Sequence, residues 1–216
     1  MKSLGLIGLG LLGSAMSERF MAADYSVMGF DSSAERREQF KAAGGVLCDS
    51  ARAVFQNCET VILSLPNSGI VAEVISGCLD TVQQHLIVDT TTGAPDDARK
   101  LAALLEGCGA CYLDATVVGS SEQTRQGEVV TLVGGTTEGF AKAASLLKCF
   151  SAQQFHTGGL RNRSHGQTDR ESCAGTEPRG AGGSNESGQS VSNGSGQHSG
   201  DPSQRCGLFA SYGYQR

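Results

Sequence analysis

Leu4-Gly5-Leu6-Ile7-Gly8-Leu9-Gly10-Leu11-Leu12-Gly13-Ser14-Ala15-Met16 sets an apolar run of strand length before three glycines in G-x-G-x-x-G spacing, and a helix-period segment follows directly. In such a strand–turn–helix the first glycine permits the tight turn and the second lets the backbone approach a diphosphate. The third allows close helix packing, and the helix N-terminus presents N–H groups and the positive end of its dipole. Glycines in this spacing also occur in plain turns, so the strand before and the helix after give the motif its weight. The expected cofactor-binding positions are therefore Gly8, Leu9, Gly10, Leu11, Leu12 and Gly13.

Asp31 stands 18 positions after Gly13, at the end of the next apolar run. A carboxylate there can accept hydrogen bonds from an adenosine ribose and would repel a 2′-phosphate, which favours NAD over NADP. Arg36 and Arg37 follow closely and keep NADP open. Asp also caps helices, and a helix starting near Ser33 offers Asp31 that second reading.

Outward from this unit the alternation continues. Residues 4–9, 26–30, 61–65, 86–89, 111–115 and 129–133 read as strands, and 12–22, 33–43, 70–75, 95–106 and 139–147 as helices. Pro95, Asp96 and Asp97 in one first turn suit a helix N-terminus. Strands that alternate with helices imply parallel pairing, because a parallel crossover needs a helix-length return. The expected fold class is a doubly wound, mostly parallel α/β sheet of Rossmann type over residues 1–160.

Four segments, in order, resemble the β-hydroxyacid dehydrogenase family of 3-hydroxyisobutyrate and 6-phosphogluconate dehydrogenases. The first is Gly5 to Met16. Leu63-Ser64-Leu65-Pro66 resembles the strand-end Leu-Pro beside the nicotinamide ribose, and Asp89-Thr90-Thr91-Thr92-Gly93-Ala94-Pro95 resembles the Asp-x-Ser-Thr-x-x-Pro loop. Leu113-Asp114-Ala115-Thr116-Val117-Val118-Gly119-Ser120 resembles the substrate loop Asp-Ala-Pro-Val-Ser-Gly-Gly. The resemblance implies an NAD(P)-dependent oxidoreductase acting on a small β-hydroxy acid or its semialdehyde. It adds Leu65, Pro66 and Thr92 as cofactor contacts and Val118, Gly119 and Ser120 as substrate positions. Thr116, Val118 and Ser120 depart from the family's proline, serine and second glycine. Ser120 or Ser121 can replace the missing serine, or Gly119-Ser120-Ser121 is an ordinary turn.

The family's acid/base is a lysine in a Gly-x-Gly-x-x-x-Lys-x-x-x-Asn segment that opens a helical second domain. Here it would begin near Gly158-Gly159, yet no lysine follows Lys148, so no catalytic residue is assigned. His156 lies just upstream and is the residue type that titrates near neutrality, although a histidine at a strand end more commonly serves structure. Residues 161–216 hold 11 Gly and 10 Ser among 56 residues, with Val191 the only Val, Ile, Leu, Met or Phe before Leu208. Such a composition buries too little apolar surface to offset chain entropy and is expected to be a disordered tail.

A displaced reading frame accounts for the break. Bases two and three of each tail codon joined to base one of the next permit, from Arg161 onward, Gly-Ile-Gly-His-Met-Val-Lys-Leu-Thr-Val-Asn-Leu-Val-Leu-Gly-Leu-Asn-Arg-Ala-Val-Leu-Ala-Glu. From Gln204 the same rule permits Ser-Gly-Ala-Ala-Tyr-Ser-Arg-Val-Met-Asp-Thr-Lys. The expected account is a frameshifted remnant of the second domain. The chain as written would then be inactive, lack its homo-oligomer interface and expose surface that is normally covered.

A net charge of −5 and a pI near 5.4, without a Lys/Arg run, argue against a nucleic-acid partner. No apolar stretch reaches the roughly 18–20 residues of a membrane helix, and Met1-Lys2-Ser3 leads into the glycine turn rather than a signal core, so a cytoplasmic protein is expected. Of eight cysteines only Cys108 and Cys111 have CxxC spacing, with no second such pair, which favours small apolar residues over a metal or redox site. From another class, a non-catalytic dinucleotide sensor with a native flexible tail fits the same residues. An oxidoreductase that takes its acid/base from a separate chain is a further reading.

Overall fold

A computed structural model describes residues 2–159, and the expected tail lies outside them. Strand β1 (Lys2–Ile7) leads through the glycine turn into α1 (Leu11–Ala22), then β2 (Tyr25–Phe30), α2 (Ala34–Ala42), β3 (Val46–Leu47) and α3 (Ala51–Asn57). Next come β4 (Thr60–Leu63), α4 (Ser68–Ser76), β5 (Leu86–Asp89), α5 (Pro95–Gly107) and β6 (Cys111–Val118). The described chain ends with α6 (Ser121–Gln126), β7 (Val129–Gly134), α7 (Thr137–Leu147) and β8 (Ser151–His156).

The eight strands lie in the order β3-β2-β1-β4-β5-β6-β7-β8, and every pairing is parallel except β6 with β7. The exception has a length argument. Only residues 119–128 join β6 to β7, fewer than the dozen or so a parallel crossover requires, so β7 returns antiparallel beside its predecessor. The order reverses at β1, whose neighbours are β2 and β4. In an open α/β sheet the ligand crevice forms at such a switch point, outside the carboxyl ends of the strands.

Each sheet face carries its own core. Leu4, Leu6, Met16, Phe20, Val129, Val133, Leu147 and Phe150 pack on one side, and Ile7, Val54, Phe55, Val61, Ile75, Ile87 and Leu105 on the other. Strand side chains alternate, so strands covered on both faces are apolar throughout, as Thr60–Leu63 and Leu86–Asp89 are for most of their length. Cys48, Cys58 and Cys78 are buried among these side chains, and burial chiefly pushes the Cys58 thiol up to about 11.

The expected elements are all present, with shifted ends. β1 stops at Ile7 rather than residue 9, because Gly8 at φ +96 turns the chain. β6 continues to Val118 instead of ending at 115, held by its antiparallel partner through Val118↔Val130. Four further elements, β3, α3, α6 and β8, join those the sequence pattern predicts.

Candidate functional site

The glycine turn sits beside the switch point. A methyl group at Gly8 would overlap the Ser64 carbonyl oxygen at the end of β4, while its own N–H donates to the Phe30 carbonyl at 2.9 Å. Gly8 is thus wedged between two strand ends. A methyl group at Gly13 would overlap the Gly8 carbonyl oxygen, so Gly13 sets how closely α1 approaches the turn. Gly10 differs from both. Its nearest neighbour outside the turn is the Arg36 guanidinium, 3.7 Å from where a methyl carbon would stand. As the N-cap of α1 it offers no side-chain hydrogen bond to the first turn. The first N–H groups of a helix have no partner within the helix, so α1 presents them over Gly10 to whatever lies in front.

In front lies a cleft of about 510 Å³ lined by Gly8, Gly10, Leu11, Leu12, Asp31, Ser32, Arg36, Leu65, Pro66, Ile70, Val74, Thr90 and Thr92, among others. Asp31 is buried at its β2 end. One carboxylate oxygen accepts from Leu9 N–H at 2.8 Å and the other from Ser33 N–H at 2.8 Å. Arg36 faces the same carboxylate at 3.6 Å, and Arg37 donates to the Asp31 carbonyl at 2.7 Å. The helix-cap role belongs to Ser33, whose hydroxyl accepts from Arg36 N–H, so the alternative reading of Asp31 as the α2 cap does not describe it. Leu9, an expected cofactor position, is buried and does not line the cleft; its N–H is held by the Asp31 carboxylate.

The far wall comes from β4 and β5. Thr90 Oγ1 donates to the Leu63 carbonyl at 2.8 Å and Thr91 Oγ1 accepts from Leu65 N–H at 3.1 Å, so these hydroxyls tie the two strand ends together. Thr92, exposed, lines both the cleft and a second cavity of about 330 Å³ that also holds Ser68, Asp89, Tyr112, Asp114 and Thr116. Cleft and cavity therefore meet at Thr92. In the cavity Asp89 is buried, accepting from Tyr112 Oη–H at 2.7 Å and from Thr91 N–H at 2.9 Å.

Burial raises the Asp89 pKa most, against the pull of the hydrogen bonds from Thr91 and Tyr112. A carboxyl raised in the folded state contributes stability below its ordinary value of 3.8, and that contribution is lost as pH rises through the folded value. Thermal melts across that acidic range should show this fall, and Asp89→Asn should flatten it; an unchanged profile would contradict the assignment. Tyr112→Phe leaves one buried carboxylate oxygen short of a donor and should cost ~1–3 kcal/mol in denaturant unfolding.

The three positions expected to meet substrate line neither the cleft nor the Asp89 cavity, and they differ in kind. Val118 ends β6 and is 49% exposed, and Gly119 takes φ +145, where a side chain would be strained. Ser120 caps α6: its hydroxyl accepts from Gln123 N–H at 3.1 Å while Gln123 Oε1 accepts from Ser120 N–H at 2.9 Å. His156 stacks on Phe140 with ring centroids 5.0 Å apart and its Nε2 contacts the Gly135 carbonyl at 2.9 Å. It lines neither the cleft nor the Asp89 cavity. Among the described residues no group of three or more His, Cys, Asp or Glu could hold a metal, and no helix is long and apolar enough to cross a membrane. Ser32, Ile70 and Val74 also line the cleft and Tyr112 the cavity, and none of them carries a sequence motif of its own.

Residues 3–158 match the family model for the NAD binding domain of 6-phosphogluconate dehydrogenase. The chain belongs to that family. Relatives of this NAD-binding domain include mouse mitochondrial 3-hydroxyisobutyrate dehydrogenase, 30% identical over 161 residues, covering 73% of this chain and 48% of that enzyme. The NAD-dependent L-serine dehydrogenase of Pseudomonas aeruginosa is 31% identical over 169 residues, covering 73% of this chain and 54% of its own length. Among solved structures, the 3-hydroxyisobutyrate dehydrogenase of Mycobacterium tuberculosis with L-serine superposes with a TM-score of 0.72 at 27% identity, over 74% of this chain and 55% of that one. The chain thus spans about half the length of the relatives it matches, and the shared half is their NAD-binding part.

Proposed function

We propose that this chain is the nucleotide-binding half of an NAD(P)-dependent β-hydroxyacid dehydrogenase. The observation that carries the proposal is the uncapped N-terminus of α1 behind Gly10, the one motif glycine with open space before it. That opening suits a diphosphate held by backbone N–H groups. Asp31, Ser32 and Arg36 would then meet the adenosine ribose, Leu65 and Pro66 the nicotinamide ribose, and Thr92 the nicotinamide end, where the cleft joins the Asp89 cavity. The bound nicotinamide supplies hydride transfer to or from the hydroxyl-bearing carbon of a small β-hydroxy acid. Val118, Gly119 and Ser120 border the substrate position, with the Ser120 hydroxyl already committed to capping α6. Thermal melts with and without NAD or NADP test nucleotide binding, and absence of any shift with either contradicts it.

Both nucleotides suit the ribose corner, for different reasons. The Asp31 carboxylate favours a ribose with free hydroxyls, whereas Arg36, half-exposed at 3.6 Å from it, supplies a counter-charge for a 2′-phosphate. Arg36→Ala should therefore weaken NADP by about tenfold, or ~1.4 kcal/mol, and leave NAD nearly unchanged. Equal losses for both, measured by titration, would place Arg36 at the shared diphosphate instead.

The reading assigns the acid/base lysine to a segment that the displaced frame from Arg161 would encode. Residues 161–216 as written supply no lysine, so the 216-residue chain should bind nucleotide without turning over 3-hydroxyisobutyrate or serine. Turnover by this chain would contradict that assignment.

A further inference from the structure

Thr92 stands on the loop that leads from β5 to Pro95 at the start of α5, and it is exposed, so its position is set by its neighbours rather than by packing of its own. The residue before it is the fixed point. Thr91 is buried, its N–H donates to Asp89 Oδ1 at 2.9 Å, and its Oγ1 accepts from Leu65 N–H at 3.1 Å. The other Asp89 oxygen accepts from Tyr112 Oη–H at 2.7 Å. An unbroken chain of hydrogen bonds therefore runs Tyr112–Asp89–Thr91–Leu65, from β6 through β5 to the turn after β4, across three strands that are neighbours in the sheet. Its first member is anchored well below the loop. In register Tyr112 stands opposite Ile87, two residues before Asp89, and it is buried in the same core cluster as Ile87, Leu101 and Leu105. Strand residues two apart share a face, so the phenol reaches along that face to the carboxylate.

We propose that Tyr112 is a positioning residue for the nicotinamide end of the cleft: through Asp89 and Thr91 it fixes Thr92 against the Leu65-Pro66 turn. The proposal rests on the nucleotide reading above, which puts those residues at the nicotinamide and its ribose. Stability alone does not account for the pair. Burial takes the Asp89 carboxyl out of water, and an apolar pair of like volume commonly fills such a place at equal or better stability. What the polar pair supplies and an apolar one lacks is direction. A carboxylate with both oxygens engaged has one orientation, so the Thr91 N–H that it holds, and the Leu65 N–H that Thr91 holds in turn, have fixed places. A binding group on a loop is kept at its working position only by supporting hydrogen bonds and packing of this kind. Tyr112 lines the Asp89 cavity and not the cleft, so it acts on the nucleotide through its neighbours.

Titration calorimetry with NAD, and with ADP, which lacks both the nicotinamide and its ribose, tests this on the 216-residue chain and its variants. Tyr112→Phe should weaken NAD at least ~threefold and leave ADP within about twofold, because the adenosine and diphosphate contacts lie outside the hydrogen-bonded chain. Thr92→Ala should also weaken NAD and spare ADP. In the double variant Tyr112→Phe/Thr92→Ala the loss for NAD should fall short of the product of the two single losses, since both substitutions remove one hold. Should Tyr112→Phe fail to fold, Thr91→Val, of like size, breaks the same chain at Leu65 N–H and carries the same expectation. Equal losses for NAD and ADP, as a general loosening of the domain would give, overturn the proposal, and so does a double variant whose loss equals that product. A parent chain that binds neither nucleotide sinks the nucleotide reading and this proposal with it. A parent that binds both, with Tyr112→Phe changing neither, overturns this proposal alone.

Discussion

Gly10→Ala is expected to leave the fold intact and weaken its hold on nucleotide, whereas Gly8→Ala and Gly13→Ala, in the same turn, should destabilise the fold itself. The difference lies in what each position faces. A methyl group at Gly10 meets nothing closer than the mobile end of Arg36, and its φ of −69 is one that alanine adopts readily. The stability cost is that of a poorer helix cap, under about 1 kcal/mol. The same methyl group would stand where a diphosphate must approach the N–H groups of α1, so affinity should fall at least ~tenfold. At Gly13 the methyl group strikes the Gly8 backbone, which cannot yield without moving α1 off the sheet. Overpacking of that kind costs ~1–3 kcal/mol. At Gly8 the φ of +96 adds ~1–2 kcal/mol to a similar clash with Ser64. For a domain of this size each kcal/mol lowers the melting temperature by roughly 2–4 °C. Melts and nucleotide titrations on the three variants separate the effects, and a Gly10→Ala protein that binds like the parent would remove the diphosphate from this turn.

The largest change in activity should come from the nucleic acid rather than from any substitution. Restoring the displaced frame near Gly159 to Arg161 returns a lysine as the seventh residue of the continuing segment, in the family's Gly-x-Gly-x-x-x-Lys-x-x-x-Asn pattern. Proton transfer by a positioned side chain contributes about 10²–10⁴-fold on its own, before the orientation a second domain provides. The frame-restored protein should therefore oxidise a small β-hydroxy acid at least ~100-fold faster than the 216-residue chain, with the nucleotide affinity of the two alike. A restored protein that binds nucleotide but shows no turnover would point to a sensor. An encoding DNA whose in-frame, error-free message specifies residues 161–216 as written would end the frameshift account.

How far the sequence revealed this molecule depended on how local each signal was. The turn, α1 and Asp31 form one contiguous unit whose spacing encodes its geometry. What the spacing leaves out is that both Asp31 oxygens are engaged by Leu9 and Ser33 N–H groups, because that depends on the loop's three-dimensional course. β8, with Ser151, Gln153, Gln154 and His156, shows little apolar periodicity; it is the edge strand of the described sheet, and its Phe155 is 51% exposed. β3 is two residues long and held only by β2. α6 is different: Ser120 and Gln123 spell a capping box, a sequence signal that identifies a helix start and accounts for Ser120 without a substrate. The β6–β7 reversal was likewise open to a length argument. The Asp89–Tyr112 pair was not, because its partners stand 23 positions apart on adjacent strands.

Calorimetric titration of NAD and NADP into the folded 216-residue chain tests the central claim most directly. The account predicts one site per chain, with heat for at least one of the two, abolished or strongly weakened by Gly10→Ala. A folded chain that releases no heat with either nucleotide, oxidised or reduced, would contradict it.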